Sequence, residues 1–198
     1  RRRVTEAATA AGLMVLTVPA IDDLLSGRVS ISQLRKVELE DLLGREVVSL
    51  DSEGLHRLLG DRTVLVTGAG GSIGSELARQ IARFGPKRLV LFEQSEFALY
   101  RIEEEFASRQ PETPVNGLAG DVKDAARVEE VFAKYRPDVV FHAAAYKHVP
   151  LMENENAWEA VRNNVLGTLR VAEAAQRHGT GEFVFISTDK AVNPTNVM

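Results

Sequence analysis

Five short runs of β-branched and large apolar residues, each opening into a stretch of different character, constrain this chain more than anything else in it. From Thr63 onward they read TVLVTG, RLVLF, PVNGLAGD, DVVFHAAA and EFVFIS. Apolar runs without alternation mark strands covered by helices on both faces, rather than strands with one wet face. The first is followed by a helical pattern carrying Leu77, Ile81 and Phe84, which Gly85-Pro86 terminates. Leu99, Ile102 and Phe106 share a helical face after the second, AARVEEVFAKY follows the third, and a long helix through Trp158, Val161, Val165, Leu169 and Ala172 follows the fourth. Such a succession predicts an α/β fold built on a doubly wound parallel sheet.

The turn after the first strand, TGAGGSIG, sets Gly68, Gly71 and Gly74 at three-residue steps, with Ser72 and Ile73 between the last two. A tight turn there needs residues free of Cβ, and a pyrophosphate must approach the backbone closely. The helix that follows offers free N–H groups and the positive end of its dipole. In this strand–turn–helix context the pattern predicts a dinucleotide-binding, Rossmann-type domain. Glu93 ends the second strand about 20 residues further on, where an acid binds the hydroxyls of the adenosine ribose. An ordinary strand-end carboxylate is the plainer alternative. No Arg follows until Arg101, so NAD is favoured over NADP. Asp121 and Val122 end the third strand, a place to meet the adenine edge, although Asp121 also suits an N-cap or a turn.

Composition excludes several classes. A net charge of −4 with no basic run beyond Arg1-Arg2-Arg3 leaves no footprint for nucleic acid. There is no Cys, hence no disulfide and no thiolate metal site, which fits a reducing compartment. The most apolar stretch, residues 10–21, is shorter than the ~20 residues a membrane helix needs and contains Pro19. Residues 1–60 read as the end of a preceding small α/β domain plus a connector. LMVLTVP is a strand, ISQLRKVELEDLLGR a helical linker, and EVVSLDSEGLHRLLG a strand and short helix leading into the sheet. Residues 61–198 read as the NAD(P)-binding domain.

TGAGGSIGSELARQI, GDVKD, HAAAYKHVPLMENE, NNVLGT and FVFISTDKAVNPTNVM together resemble the extended short-chain dehydrogenase/reductases. More narrowly, they resemble the CapD-like polysaccharide-biosynthesis nucleotide-sugar 4,6-dehydratases, which typically act on UDP-N-acetylglucosamine. The resemblance covers residues 61–198. It implies a capsule or O-antigen enzyme anchored on the cytoplasmic side of the bacterial inner membrane through a segment outside this chain, and a homo-oligomer. The chain itself would be a soluble, inactive fragment lacking the sugar-binding part.

The resemblance also assigns the elimination to Thr188, Asp189 and Lys190. Hydride leaves C4 of the sugar for the nicotinamide, giving a 4-keto sugar with an acidic C5 proton. Lys190 takes that proton, Asp189 protonates the leaving C6 hydroxyl, and the hydride returns to C6. Each group needs a pKa moved towards neutrality. A solvent salt bridge is the alternative for an Asp-Lys pair. Related reductases carry a Tyr where Met198 stands, and a thioether exchanges no proton, so the C4 base is unassigned. The long dehydratases are similar in carrying Met.

By the same resemblance, Ala143, Ala144 and Ala145 leave room for the cofactor, while Tyr146 and Lys147 point to the site. Lys147 would contact phosphate or ribose, or else be a solvated Lys. His148 reads as a local hydrogen-bonding residue, since no metal constellation surrounds it. Asn164 orders the neighbouring loops or sits on a helix surface. A nucleotide-sugar 4-epimerase or 4-dehydrogenase, needing no elimination acid, is the second reading. A non-catalytic dinucleotide-binding module, needing only the Gly turn, is the third.

Overall fold

The computed structural model describes residues 16–17, 35–36, 51–109, 113–188 and 191. Residues 1–50 and 51–198 form two compact units. In the first, β1 (Leu16–Thr17) pairs antiparallel with β2 (Arg35–Lys36). The strand expected in LMVLTVP therefore has its centre in place. Arg35 and Lys36, expected within a helical linker, are in a strand instead, because pairing with Leu16 and Thr17 outweighs a weak local helix propensity. The strand expected after Arg45 lies outside the described residues.

The second unit opens with α1 (Ser52–Leu59), whose first turn is closed by the Asp51 carboxylate accepting the Gly54 N–H at 2.9 Å. Strands β3 (Thr63–Thr67), β4 (Arg88–Glu93), β5 (Val115–Ala119), β6 (Val139–His142) and β7 (Glu182–Phe185) form one sheet in the order β5-β4-β3-β6-β7. Every pairing is parallel. Crossovers run through α2 (Ser72–Ala82), α3 (Glu96–Arg109), α4 (Ala125–Tyr135) and the helical stretch before β7.

Because side chains alternate across a strand, the unbroken apolar runs feed two cores. Val64, Val66, Leu89, Leu91, Val139 and Phe141 pack with residues of α1, α2 and α3 on one face. Leu65, Val90, Phe92 and Val140 pack with Val128, Val131 and Phe132 of α4 and with Val171, Ala174 and Ala175 on the other. A fully buried Val or Leu contributes about 1.5–3 kcal/mol relative to exposure. The architecture is the doubly wound sheet of a Rossmann-type domain.

The stretch before β7 departs from the single helix expected. It comprises α5 (Val149–Met152), a 3-10 turn (Asn154–Asn156), α6 (Ala157–Ala160), a π-helical segment (Val161–Gly167) and α7 (Thr168–Arg177). Trp158, Val165 and Leu169 are exposed, and the face towards the sheet is built from Ala160, Asn163, Gly167, Val171 and Ala174. The π segment shifts the helical phase, and the approach at Gly167 is close. A Cβ there would stand 2.8 Å from Val122 Cγ2. Small residues win that face because large ones do not fit beneath it.

Candidate functional site

The main cleft opens at the C-terminal edge of the sheet. Central β3 feeds the Gly turn there, and its neighbour β6 feeds residues 143–148. This is the switch point at which open α/β sheets bind ligands.

The glycines of the turn divide by what their missing Cβ atoms would meet. Gly68 has φ +65°, and a Cβ there would lie 2.8 Å from Ala143 O and from Ala144 N and Cα. At Gly74 a Cβ would stand 2.0 Å from Gly68 O, so helix α2 packs directly under the turn. Gly70, which sequence reasoning passed over, would meet Ala98 Cβ at 2.5 Å. Its need is set by α3, far along the chain. Gly71 differs. Its φ of −72° suits any residue, and its Cβ would approach only Gly68 O, at 3.2 Å. Gly71 also caps α2 without a side-chain hydrogen bond. The helix's first turn, with Ser72, Ile73 and Gly74, thus keeps N–H groups that no capping side chain satisfies, the arrangement that receives phosphate.

Glu93 is 8% exposed, and its carboxylate is held by backbone. Oε2 accepts the Gly70 N–H at 3.0 Å and Oε1 the Ser95 N–H at 2.9 Å. Each oxygen retains a lone pair for a hydroxyl from the cleft. Asp121 is engaged locally: Oδ1 accepts the Lys123 N–H at 2.8 Å, and Oδ2 lies 2.8 Å from Lys123 Nζ. It is a turn residue, and the cap of α4 is Asp124, which accepts the Ala126 and Arg127 N–H groups. Burial works against the Lys123 charge, yet the Asp121 carboxylate outweighs it and raises the ammonium's pKa. Val122 is buried and lines the cleft.

Ala143, Ala144 and Ala145 line the opposite side of the cleft. Lys147 Nζ donates to Ser72 Oγ at 2.9 Å, so a cation from the β6 loop stands at the start of α2. Asn164 orders the loop by gripping Tyr146, accepting its N–H at 2.9 Å and donating to its carbonyl at 3.0 Å. Asn163 was missed by sequence reasoning. It is 3% exposed, lines the cleft, and donates to Asn164 Oδ1 at 3.0 Å.

Thr188 is exposed, and its carbonyl accepts the Ala191 N–H at 3.1 Å. Asp189, Lys190 and Met198 lie outside the described residues. Among those described, no cluster of His, Asp and Glu fits a metal ion, and no helix is long and apolar enough to cross a membrane.

Residues 64–198 match the family model described as polysaccharide biosynthesis protein. Over 191 residues the chain is 48% identical to the capsular polysaccharide biosynthesis protein CapD of Staphylococcus aureus, covering 94% of this chain and 31% of that one. A UDP-N-acetylglucosamine 4,6-dehydratase (inverting) of Campylobacter jejuni is 31% identical over 137 residues, 69% of this chain and 39% of its own length. Among solved structures, the UDP-glucose 4-epimerase of Bifidobacterium longum, in complex with NAD+ and UDP, aligns with a TM-score of 0.57 at 29% identity. That match covers 66% of this chain and 38% of the epimerase. The chain thus spans between 31% and 39% of the length of these curated relatives. With its sheet and cleft inside the family match, and near-half identity to a capsular relative along almost all its length, this chain belongs to the polysaccharide biosynthesis protein family.

Proposed function

We propose that this chain carries the dinucleotide-binding part of a nucleotide-sugar 4,6-dehydratase, acting on substrates of the UDP-N-acetylglucosamine class in capsule or O-antigen synthesis. The observation that carries the reading is Gly71. It is the turn glycine that neither backbone conformation nor a severe contact demands, and it faces the cleft at an uncapped helix N-terminus.

In this reading Gly68 and Gly74 shape the turn, Gly71 leaves the pyrophosphate room to approach the backbone, and Ser72, Ile73 and Gly74 present N–H groups to it. Lys147, tethered to Ser72, adds a positive charge beside it. Glu93 accepts a ribose hydroxyl. A fixed carboxylate there repels a 2′-phosphate, which favours NAD over NADP. Val122 borders the adenine end with Asp121, and Ala143, Ala144 and Ala145 admit the cofactor by being small. A bound nicotinamide dinucleotide supplies a reversible hydride acceptor. After β7, Thr188, Asp189 and Lys190 provide the elimination. Lys190 removes the C5 proton and Asp189 protonates the departing C6 oxygen, so that water leaves. Residues 61–198 form the binding domain, and residues 1–60 hold the end of a preceding small domain plus a connector, whose helix α1 packs with the sheet. The full-length protein is a homo-oligomer anchored at the cytoplasmic face of the inner membrane.

A 4-epimerase is the second reading, favoured by the epimerase that aligns at 29% identity, close to the dehydratase's 31%. Mass spectrometry of UDP-N-acetylglucosamine incubated with the full-length protein separates the two. Loss of one water supports the dehydratase, and a product of unchanged mass that separates from the substrate on chromatography supports the epimerase.

A further inference from the structure

His142, the last residue of β6, is 1% exposed. Its Nδ1 lies 2.7 Å from Thr67 Oγ1 and its Nε2 2.9 Å from Thr168 Oγ1. The Thr168 hydroxyl donates its hydrogen to the Asn164 carbonyl at 2.7 Å. With that hydrogen committed, Thr168 Oγ1 must receive the Nε2–H. Nδ1 is then the acceptor, and the Thr67 hydroxyl donates to it. Only a neutral, Nε2-protonated imidazole satisfies every group in this chain. Phe183 and Phe185 pack against the ring with centroids at 6.1 and 5.9 Å. Among the described residues no charged side chain bonds to it.

Each end of the chain abuts a wall of the cleft. Thr67 immediately precedes Gly68, and Thr67 O accepts the Ala143 N–H at 3.2 Å. His142 immediately precedes Ala143. Thr168 fixes the carbonyl of Asn164, whose carboxamide holds Tyr146. The Gly turn, the alanine wall and the π segment therefore all meet one buried ring. Packing alone would be met by a Leu or Phe in that space. What imidazole adds is two directed bonds on opposite edges.

We propose that His142 is a positioning residue of the cleft, setting the spacing of the Gly turn, the Ala143–Ala145 wall and the π segment without touching the ligand. Its effect on affinity rests on the reading of this cleft as a dinucleotide site, whereas its effect on the walls does not.

The test compares the whole chain with His142→Asn, His142→Gln and a control, Val131→Ala, which empties core space on α4. Amide hydrogen exchange, melting temperature and calorimetric titration with NAD+ are measured on each. Asn keeps an acceptor near the Nδ1 position, so exchange should rise first over residues 160–168. Gln keeps a donor near the Nε2 position, so exchange should rise first at residues 68–71 and at Ala143. Both variants should bind NAD+ roughly tenfold more weakly where they remain folded. The control should melt earlier with neither effect. Loosening spread evenly as in the control overturns the proposal, and so do unchanged walls. Altered walls with unchanged NAD+ affinity overturn it too. If the parent chain binds neither NAD+ nor NADP+, the dinucleotide reading falls, and the exchange pattern still decides the role of His142.

Discussion

Asn164 holds both backbone polar groups of Tyr146, accepting the N–H at 2.9 Å and donating to the carbonyl at 3.0 Å. Only a carboxamide offers an acceptor and a donor at that spacing. Asn164→Ala should lower stability by about 1–3 kcal/mol, because the Tyr146 groups lose their partners. Asn164→Asp, equal in size, should not restore it at neutral pH, because a carboxylate oxygen would then face the Tyr146 carbonyl. Denaturant titration checks this, and parental stability of the Asp variant would remove the two-way bond.

Glycine substitutions should separate packing from ligand approach. Gly74→Ala drives a Cβ to 2.0 Å from Gly68 O, a backbone atom that cannot swing aside. Overpacking of this kind costs about 1–3 kcal/mol. Gly68→Ala adds the strain of φ +65° to its clash. Gly71→Ala should stay within about 1 kcal/mol of the parent, since its neighbour needs to give only slightly. Thermal melts rank the three, and equal losses would show that the turn is not partitioned in this way.

The three central strands were legible because they are buried on both faces, whereas the edge strands β5 and β7 are only half-buried. Val64 to Val66, Leu89 to Phe92 and Val139 to Phe141 show no alternation, and every one of them is buried. The turn after β3 was legible through its glycine spacing in a strand–turn–helix context. Gly70 was not, because the residue that forbids a side chain there is Ala98, on the next helix. The His142 bridge was equally hidden, since Thr67 and Thr168 reach it from separate elements. One long helix was expected through Trp158, Val165 and Leu169, which the structure leaves exposed. A π segment changes the helical period, and no local residue pattern announces one. The pairing of Asp121 with Lys123, two residues on, was within reach of local turn chemistry.

Acid should expose the buried histidine. Burial pushes His142 from its ordinary 6.5 down to about 4. Above pH 6.5 the ring is neutral in both folded and unfolded chains, and its contribution is fully present. As pH falls from 6.5 towards 4 the unfolded chain takes up the proton first, so stability declines across that window. The shift corresponds to about 3 kcal/mol. Denaturant midpoints between pH 4 and 7 should fall more steeply for the parent than for His142→Gln, and parallel profiles would contradict a buried neutral ring.

In the full-length protein, Asp189→Asn should stall after oxidation at C4. Asn keeps the size but delivers no proton at neutral pH. Reduced nicotinamide and a 4-keto sugar still bearing its C6 hydroxyl should accumulate, with turnover down by ~10²–10⁴. Lys190→Ala should also block water loss, and in addition suppress solvent-deuterium exchange at C5. Absorbance and mass spectrometry report the two steps. Unchanged 4-keto-6-deoxy product from Asp189→Asn would remove the elimination acid.

Calorimetric titration of the chain with NAD+, beside Gly71→Val checked for a parental melting transition, bears most directly on the cleft. One-site binding by the parent and at least about a tenfold loss in the variant is the expected result, because the valine methyls occupy the pyrophosphate's approach to the backbone. Equal affinity in the two proteins, or a parent that binds neither NAD+ nor NADP+, would contradict a dinucleotide site at the Gly turn.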